Sequence, residues 1–252
     1  MDLKLSLSKS KYLRALRRSK QRRLLGKFVA EGKKICLEFI RDFPEQIEWI
    51  FLSPDFIETH NSQLQLVKDK LIPISNLELK EHSSLDSPPE ILMIMDIPPA
   101  LDLEALGPTP KVLYLDQIQD PGNAGTLLRT AAWFGLDAVV LGKGTVDPWN
   151  PKVVQASMGS VSRIPLLDQN LSELQLAIPD IPLVGLDMEG KSIWENPPPD
   201  SAILVLGNEG QGISEDLRKN LEFISIPRGP SSNVESLNAS VAGAIAMSIW
   251  TK

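Results

Sequence analysis

Leu115-Asp116-Gln117-Ile118-Gln119-Asp120-Pro121-Gly122-Asn123-Ala124-Gly125-Thr126-Leu127-Leu128-Arg129-Thr130-Ala131-Ala132 joins the end of an apolar run to the start of a helix. Val112 to Leu115 reads as a short buried strand, and Asp, Pro and Gly fill the turn after it. A helix is expected over Ala124 to Phe134, with Asn123 as its N-cap and its first amides open to an anion. Arg129 lies six residues past Asn123. That is about one and two-thirds turns, so spacing alone does not place the two on one face. An arginine among Leu127, Leu128, Ala131 and Ala132 is either a snorkelling or salt-bridged structural residue or a functional one.

Downstream the same rhythm repeats. Strands are expected at Ala138 to Leu141, Pro182 to Leu186, Ala202 to Leu206 and Phe223 to Ile226, and a closing helix at Leu237 to Trp250. Alternating strands and helices predict an α/β domain whose parallel sheet is covered on both faces. Upstream, residues 8 to 25 read as one basic helix with Leu13, Leu16, Leu24 and Leu25 as its apolar positions. A short strand at Phe28 to Ala30 follows, then an amphipathic helix from Lys33 to Arg41 carrying Ile35, Leu37, Phe39 and Ile40. Ile47 to Leu52 and Ile91 to Ile97 read as strands, and Gln63 to Lys70 as a helix. This organisation predicts a small α/β domain over 1–98, a Pro- and Gly-bearing linker over 99–110, and a larger domain over 111–252.

At 252 residues the chain can bury two modest cores, and its 42% hydrophobic and 23% charged content is that of a soluble globular protein. No apolar run approaches the roughly 18 residues that cross a bilayer, so no membrane partner is expected. Cys36 is the sole cysteine, which rules out an intrachain disulfide and fits a cytoplasmic setting. With His60 and His82 it cannot build a Cys/His zinc site, and no metal is expected.

The net charge of −6 argues weakly against a nucleic-acid partner, but its distribution argues the other way. Residues 9 to 34 carry Lys9, Lys11, Arg14, Arg17, Arg18, Lys20, Arg22, Arg23, Lys27, Lys33 and Lys34 against Glu31 alone. A polyanion responds to that local field. Lys11, Arg14, Arg17, Arg18, Arg22 and Arg23 are the candidate RNA-binding residues. The competing readings are a solvated basic helix face and an organellar transit peptide. The run continues directly into Phe28-Val29-Ala30-Glu31-Gly32, with no cleavable boundary between them.

Two further motifs follow strands. Leu204-Val205-Leu206-Gly207-Asn208-Glu209-Gly210-Gln211-Gly212-Ile213-Ser214 places three glycines after a buried strand, where backbone can approach a ligand closely. It is also compatible with a plain strand-to-helix turn. The dinucleotide pattern G-x-G-x-x-G is absent, and Glu209 is a poor neighbour for a phosphate. The last motif is Ile224-Ser225-Ile226-Pro227-Arg228-Gly229, followed after Pro230 to Val234 by Glu235-Ser236-Leu237-Asn238-Ala239-Ser240 and a helix of small residues.

In this order the three motifs resemble the SpoU (TrmH) family of SPOUT RNA 2′-O-ribose methyltransferases. Asp120-Pro121-Gly122-Asn123 through Arg129-Thr130-Ala131, Gly207-Asn208-Glu209-Gly210, and Ile226-Pro227 with Ser236-Leu237-Asn238 carry the likeness across residues 115 to 244. Lys11 to Gly32 more loosely resembles the RNA substrate-binding domain, akin to certain ribosomal proteins, that precedes many members. The resemblance implies a deep trefoil knot, a homodimer with its active site near the interface, and S-adenosylmethionine as cofactor. It implies Gly207, Gly210, Ile226 and Leu237 as cofactor-binding residues, and Asn123, Arg129, Glu209, Ser236 and Asn238 as the catalytic cluster. It favours ribosomal RNA over transfer RNA as substrate. Glu209 would anchor Arg129 or its loop, and Arg129 would act either as general base or as a stabiliser of the developing alkoxide. This chain departs from the family pattern at Arg228, where methionine is usual, and in an Ile226–Ser236 loop about two residues longer. The rival readings are a non-catalytic RNA-binding protein of the same fold and a Rossmann-like nucleotide enzyme. Retention of Asn123, Arg129, Glu209 and Asn238 argues against the first, and the missing glycine fingerprint argues against the second.

Overall fold

The computed structural model describes residues 3–85 and 87–252, which divide into two compact units. One unit holds the residues up to Pro98 together with Asp147–Gly159. The other holds Pro99–Val146 and Ser160–Lys252.

The first unit begins with α1 (Leu7–Ala15) and α2 (Ser19–Leu25), where the sequence predicts a single helix. The break comes at Arg18, whose extended backbone (φ −96°, ψ 128°) cannot continue a helix. Then come β1 (Lys27–Glu31), α3 (Lys33–Asp42), β2 (Ile47–Leu52), α4 (Pro54–Thr59), β3 (Leu71–Pro73), α5 (Asn76–His82) and β4 (Ile91–Asp96). The helix expected over Gln63 to Lys70 is instead a kinked 3-10 stretch, with Val67 out of helical geometry and buried. The sheet order is β1-β4-β2-β3. β4 runs antiparallel to both neighbours, with Ile94 opposite Val29 and Met93 opposite Ile50, and Ile91 to Met95 are wholly buried. Burial pushes the Cys36 thiol well above its ordinary range, aided by Glu31, so this cysteine is a core residue.

The second unit is built on β5 (Lys111–Leu115), α6 (Pro121–Trp133) and β6 (Ala138–Leu141). The chain then makes α7 (Pro151–Ala156) before returning as β7 (Leu166–Asp168), α8 (Leu171–Ala177), β8 (Leu183–Ser192), β9 (Ala202–Leu206), α9 (Glu215–Arg218), β10 (Glu222–Ser225) and α10 (Ala239–Trp250). All neighbours in the order β10-β8-β9-β5-β6-β7 pair in parallel, the α/β sheet expected from the alternation. β5 is central, with Leu113 opposite both Leu204 and Val139. From β5 the chain steps toward β7, and from β9 it steps toward β10. The carboxyl ends of β5 and β9 therefore form the switch point at which open parallel sheets place their ligands.

Two boundaries differ from the sequence reading. Residues 99–110 are not a linker: Leu101, Leu103 and Leu106 pack on the sheet core, and Leu101 N donates to Leu166 O at 3.0 Å. Their apolar side chains outweigh the Pro and Gly that flank them. Residues 147–159 leave the expected 111–252 domain and pack in the first unit, where Trp149 lies against Phe28 (4.8 Å between ring centres) and Gly159 against Phe39. β8 is also longer than expected. Its pairing with β10 jumps from Gly185 to Lys191, with Gly190 pressed on the Ile224 backbone where no Cβ fits. No helix among the described residues is long and apolar enough to cross a membrane.

Candidate active site

Loops after β5, β6 and β9 meet at the switch point and are bonded to one another. Asp116, 4% exposed, accepts from Ser214 N at 2.8 Å and Ser214 Oγ at 2.7 Å. Gln117 adopts φ +54°, a conformation costly without a glycine, and its Nε2 donates to Ser214 Oγ at 2.7 Å. Its carbonyl accepts from Asn208 Nδ2 at 2.9 Å. The loop after β6 joins through Thr145, whose hydroxyl donates to Leu115 O at 2.8 Å and accepts from Ile118 N at 3.3 Å. Tyr114 lies beneath, its hydroxyl pushed up to about 12 by burial and by nearby Asp116, so it stays neutral and fills space against Gly142.

The loop after β9 closes on itself. Asn208 and Gly212 exchange backbone hydrogen bonds at 3.0 and 2.8 Å, and Asn208 Oδ1 accepts from Gly210 N and Gln211 N. Gly207 is obligatory: a Cβ there would sit 2.3 Å from Gly212 and Ile213 backbone atoms. Gly212 has φ +70°. This small ring holds Glu209 exposed at its tip.

Asn123 is not the helix cap. Asp120 caps α6, its carboxylate accepting from Asn123 N at 2.8 Å, with Pro121 in the first turn. The Asn123 side chain is thereby released into the site. Its Nδ2 donates to Glu209 Oε1 at 2.6 Å, and its Oδ1 accepts from Asn238 Nδ2 at 2.9 Å. Asn238 caps α10, its Oδ1 accepting from Ser240 N and Val241 N. That cap settles both amides. Asn238 must offer its NH₂, Asn123 must receive it with oxygen, and the Asn123 NH₂ then meets the carboxylate. One residue from each motif is joined in the chain Asn238, Asn123, Glu209.

Arg129 stands apart. On α6 it shares the exposed stripe Gly122, Thr126, Arg129, Trp133 while Leu127, Leu128 and Ala131 are buried, and it forms no hydrogen bond or ion pair among the described residues. Glu209 bonds to Asn123, in the first turn of the helix that carries Arg129, and not to the arginine itself. Ser236 is exposed and outside the bonded chain. Ile226 and Gly207 are half-buried, and Gly210 and Leu237 are exposed, Leu237 by 49%. Partly exposed apolar groups lie beside the backbone of residues 231–237, where Ser232 N and Val234 N are the bonded amides among the described residues and the others are open to a ligand's polar edge.

Sequence reasoning missed Asp116, Gln117, Asn208 and Ser214, which build the loops. The signal was a polar pair close behind each of two buried strands, Asp116-Gln117 directly after β5 and Asn208-Glu209 one residue after β9. Arg228, singled out in the sequence as a departure from the family pattern, donates its Nη2 to Glu235 O at 2.8 Å and so spans the long loop after β10, a contact that its position in the sequence does not show. Among the expected RNA-binding residues, Lys11, Arg14, Arg17, Arg18 and Arg23 are exposed. Arg22 is not: it is 2% exposed and paired with Asp147, which removes it from any phosphate-contacting set. A grouping of Glu78, Glu81 and His82 on α5 is internally engaged: His82 meets Ser10 Oγ and Glu78 O, and Glu81 pairs with Arg14.

The SpoU rRNA Methylase family model matches residues 110–248, and the MRM3-like substrate binding domain model matches residues 8–93. The chain is 31% identical over 246 residues to the 23S rRNA (guanosine(2553)-2'-O)-methyltransferase RlmP of Bacillus subtilis, covering 94% of this chain and 93% of that one. Further curated relatives are longer proteins, of which this chain spans 48%, 43% and 41%. A solved structure of a TrmH-family RNA methyltransferase from Porphyromonas gingivalis superposes with a TM-score of 0.82 at 33% identity, over 98% of both chains. An AdoMet-bound rRNA methyltransferase from Sinorhizobium meliloti shares the fold at 24% identity, TM-score 0.81, over 98% of this chain and 96% of that one. The chain belongs to the SpoU rRNA methylase family.

Proposed function

We propose that this protein transfers a methyl group from S-adenosylmethionine to a ribose 2′-hydroxyl in ribosomal RNA. The observation that carries the reading is the hydrogen-bonded chain Asn238, Asn123, Glu209, assembled from three separated motifs at the sheet's switch point. When bound, the cofactor would supply a methyl group activated by its positively charged sulfur, for transfer to the ribose oxygen. Gly207, Gly210, Ile226 and Leu237 would hold it. Glu209 places a carboxylate where a cation is to be bound, and its second oxygen remains open to a ligand. Asn123 is held rigid by two partners and fixes that carboxylate. Arg129 projects a cation from the exposed face of α6. It would bind the phosphate next to the reacting ribose and stabilise charge on the 2′-oxygen as the hydroxyl proton passes to water.

The reading includes the knot and the dimer. α10 follows the edge strand β10 yet packs on α6, with Gly243 against Leu127 and Leu206, so the chain end returns to the middle of the sheet as a trefoil would require. Small residues of α10 serve this packing: Ser240, Gly243 and Ala246 are buried in the chain itself, together with the larger Met247 and Trp250. Val241 (48% exposed), Leu237 and Trp133 (82%) remain for a second subunit. The first unit, matching a substrate binding domain, would take the RNA, and ribosomal RNA is favoured over transfer RNA because the full-length bacterial relative acts on it. The setting would be cytoplasmic.

Arg129→Ala tests the reading. With ribosomal RNA and cofactor, ribose-methylation mapping should show transfer reduced by about 10²–10³-fold, with calorimetric cofactor affinity within about twofold of wild type. Near-normal transfer would make Arg129 a surface residue only.

A further inference from the structure

Arg22 lies in the middle of the basic run, yet it is the one cation there that the fold withdraws from solvent. Its Nη1 donates to Leu16 O at 2.8 Å and to Arg17 O at 3.0 Å, carbonyls exposed by the break between α1 and α2. Its Nε donates to Asp147 Oδ2 at 2.9 Å, and Nη2 pairs with the same oxygen. The other Asp147 oxygen accepts from Trp149 N at 3.1 Å, and Trp149 packs on Phe28 of β1. A planar guanidinium with five donors can make all four of these hydrogen bonds at once, one more than the three donors of a lysine allow. Replacing such a buried pair with apolar groups is often neutral for stability, so the pair is better understood through the geometry it imposes.

That geometry is the angle between two cationic helices. Lys11 on α1, Arg18 at the elbow and Lys20 on α2 are exposed and form no ion pair among the described residues. Arg17 is held at the same elbow by Glu81 O and Ser83 O. Asp147 is supplied by the chain between β6 and β7 of the other unit's sheet.

We propose that Arg22 and Asp147 are a positioning pair for RNA: they lock the α1–α2 elbow so that its free cations meet the RNA backbone in fixed register. The inference rests on the RNA methyltransferase reading above. A phosphate follows the simple rule that removing a nearby acid strengthens its binding, and a positioning role predicts the opposite sign.

The experiment uses the full chain and an in vitro transcript of 23S ribosomal RNA, with RNA affinity across a salt series, kcat, KM for RNA, cofactor affinity and the unfolding midpoint. Asp147→Asn should weaken RNA binding and raise KM by about tenfold, leaving kcat and cofactor affinity unchanged. Arg18→Gln with Lys20→Gln should instead flatten the salt dependence, losing roughly 0.7–0.9 of slope per phosphate contact. If Asp147→Asn does not fold, the apolar pair Arg22→Met with Asp147→Leu decides: the same rise in KM from a cooperatively unfolding protein supports the elbow role. RNA binding by either folded variant equal to or tighter than wild type overturns it. A wild-type protein that binds no RNA overturns the methyltransferase reading itself, and this inference with it.

Discussion

The loop after β9 and the loop after β10 both leave the carboxyl ends of parallel strands in one sheet, yet they are built in opposite ways. From Gly207 to Ser214 the chain is closed by the Asn208–Gly212 bridge, by the Asn208 carboxamide and by Asp116 from a neighbouring strand. From Ile226 to Asn238 most side chains are exposed, and Ser232 N to Gly229 O, Val234 N to Ser232 Oγ and Arg228 to Glu235 O are the hydrogen bonds within it among the described residues. The first loop is paid for by the protein alone and presents Glu209 at a set place. The second keeps most of its amides open, and a ligand would supply the missing partners. A pocket with one rigid wall and one that closes on its occupant combines alignment with entry.

Gly207→Ala should break this contrast most strongly. Its methyl group would overlap the backbone of the closed loop, at a cost of about 1–3 kcal/mol or more, read as a fall in the unfolding midpoint, and calorimetry should show cofactor binding lost. An alanine variant with wild-type midpoint and affinity would mean that the loop is not pre-built. Hydrogen exchange sharpens the comparison: on adding S-adenosylmethionine, amides of residues 230–237 should slow markedly while those of 208–214 change little. Equal slowing in both loops would remove the distinction. Arg228→Ala should loosen the open loop further and weaken cofactor binding about fivefold, the worth of roughly 1 kcal/mol. Asn238→Ala removes a cap from α10 and should lower stability by about 1 kcal/mol, with a loss of transfer as Asn123 loses its partner.

The smallest effect is in pH. The Tyr114 hydroxyl is held up to about 12 in the fold by burial and Asp116, and ionises near 10 when unfolded. Below pH 10 both states keep the proton and nothing changes. As pH rises from about 10 toward 12 the unfolded state alone sheds it, so stability must fall across that window. Alkaline titration of tyrosinate absorbance together with unfolding would show whether the floor beneath the closed loop gives way there.

Much of the sheet was legible from local pattern. Ile47–Leu52, Ala138–Leu141 and Ala202–Leu206 are strands with the expected ends, because short apolar runs between turn residues have few other ways to bury both faces. Residues 99–110 read as a linker on their Pro and Gly, whereas the packing of Leu101, Leu103 and Leu106 on the sheet core is a long-range fact. Arg22 misled for a related reason: a run of like charges says nothing about which member turns inward, and only the arrival of Asp147 from 125 residues away makes burial of one affordable.

At the site, the sequence by itself determined which side chains were present and in what order, since glycines after strands and an Asp-Pro-Gly turn before a helix are local chemistry. The tertiary structure alone decided that Asp120 would cap α6 and free Asn123, and that Asn238 would point its NH₂ at Asn123 because its oxygen is committed to α10. A hydrogen bond's direction depends on every other partner of its two groups, and those partners come from residues 86 and 115 positions apart.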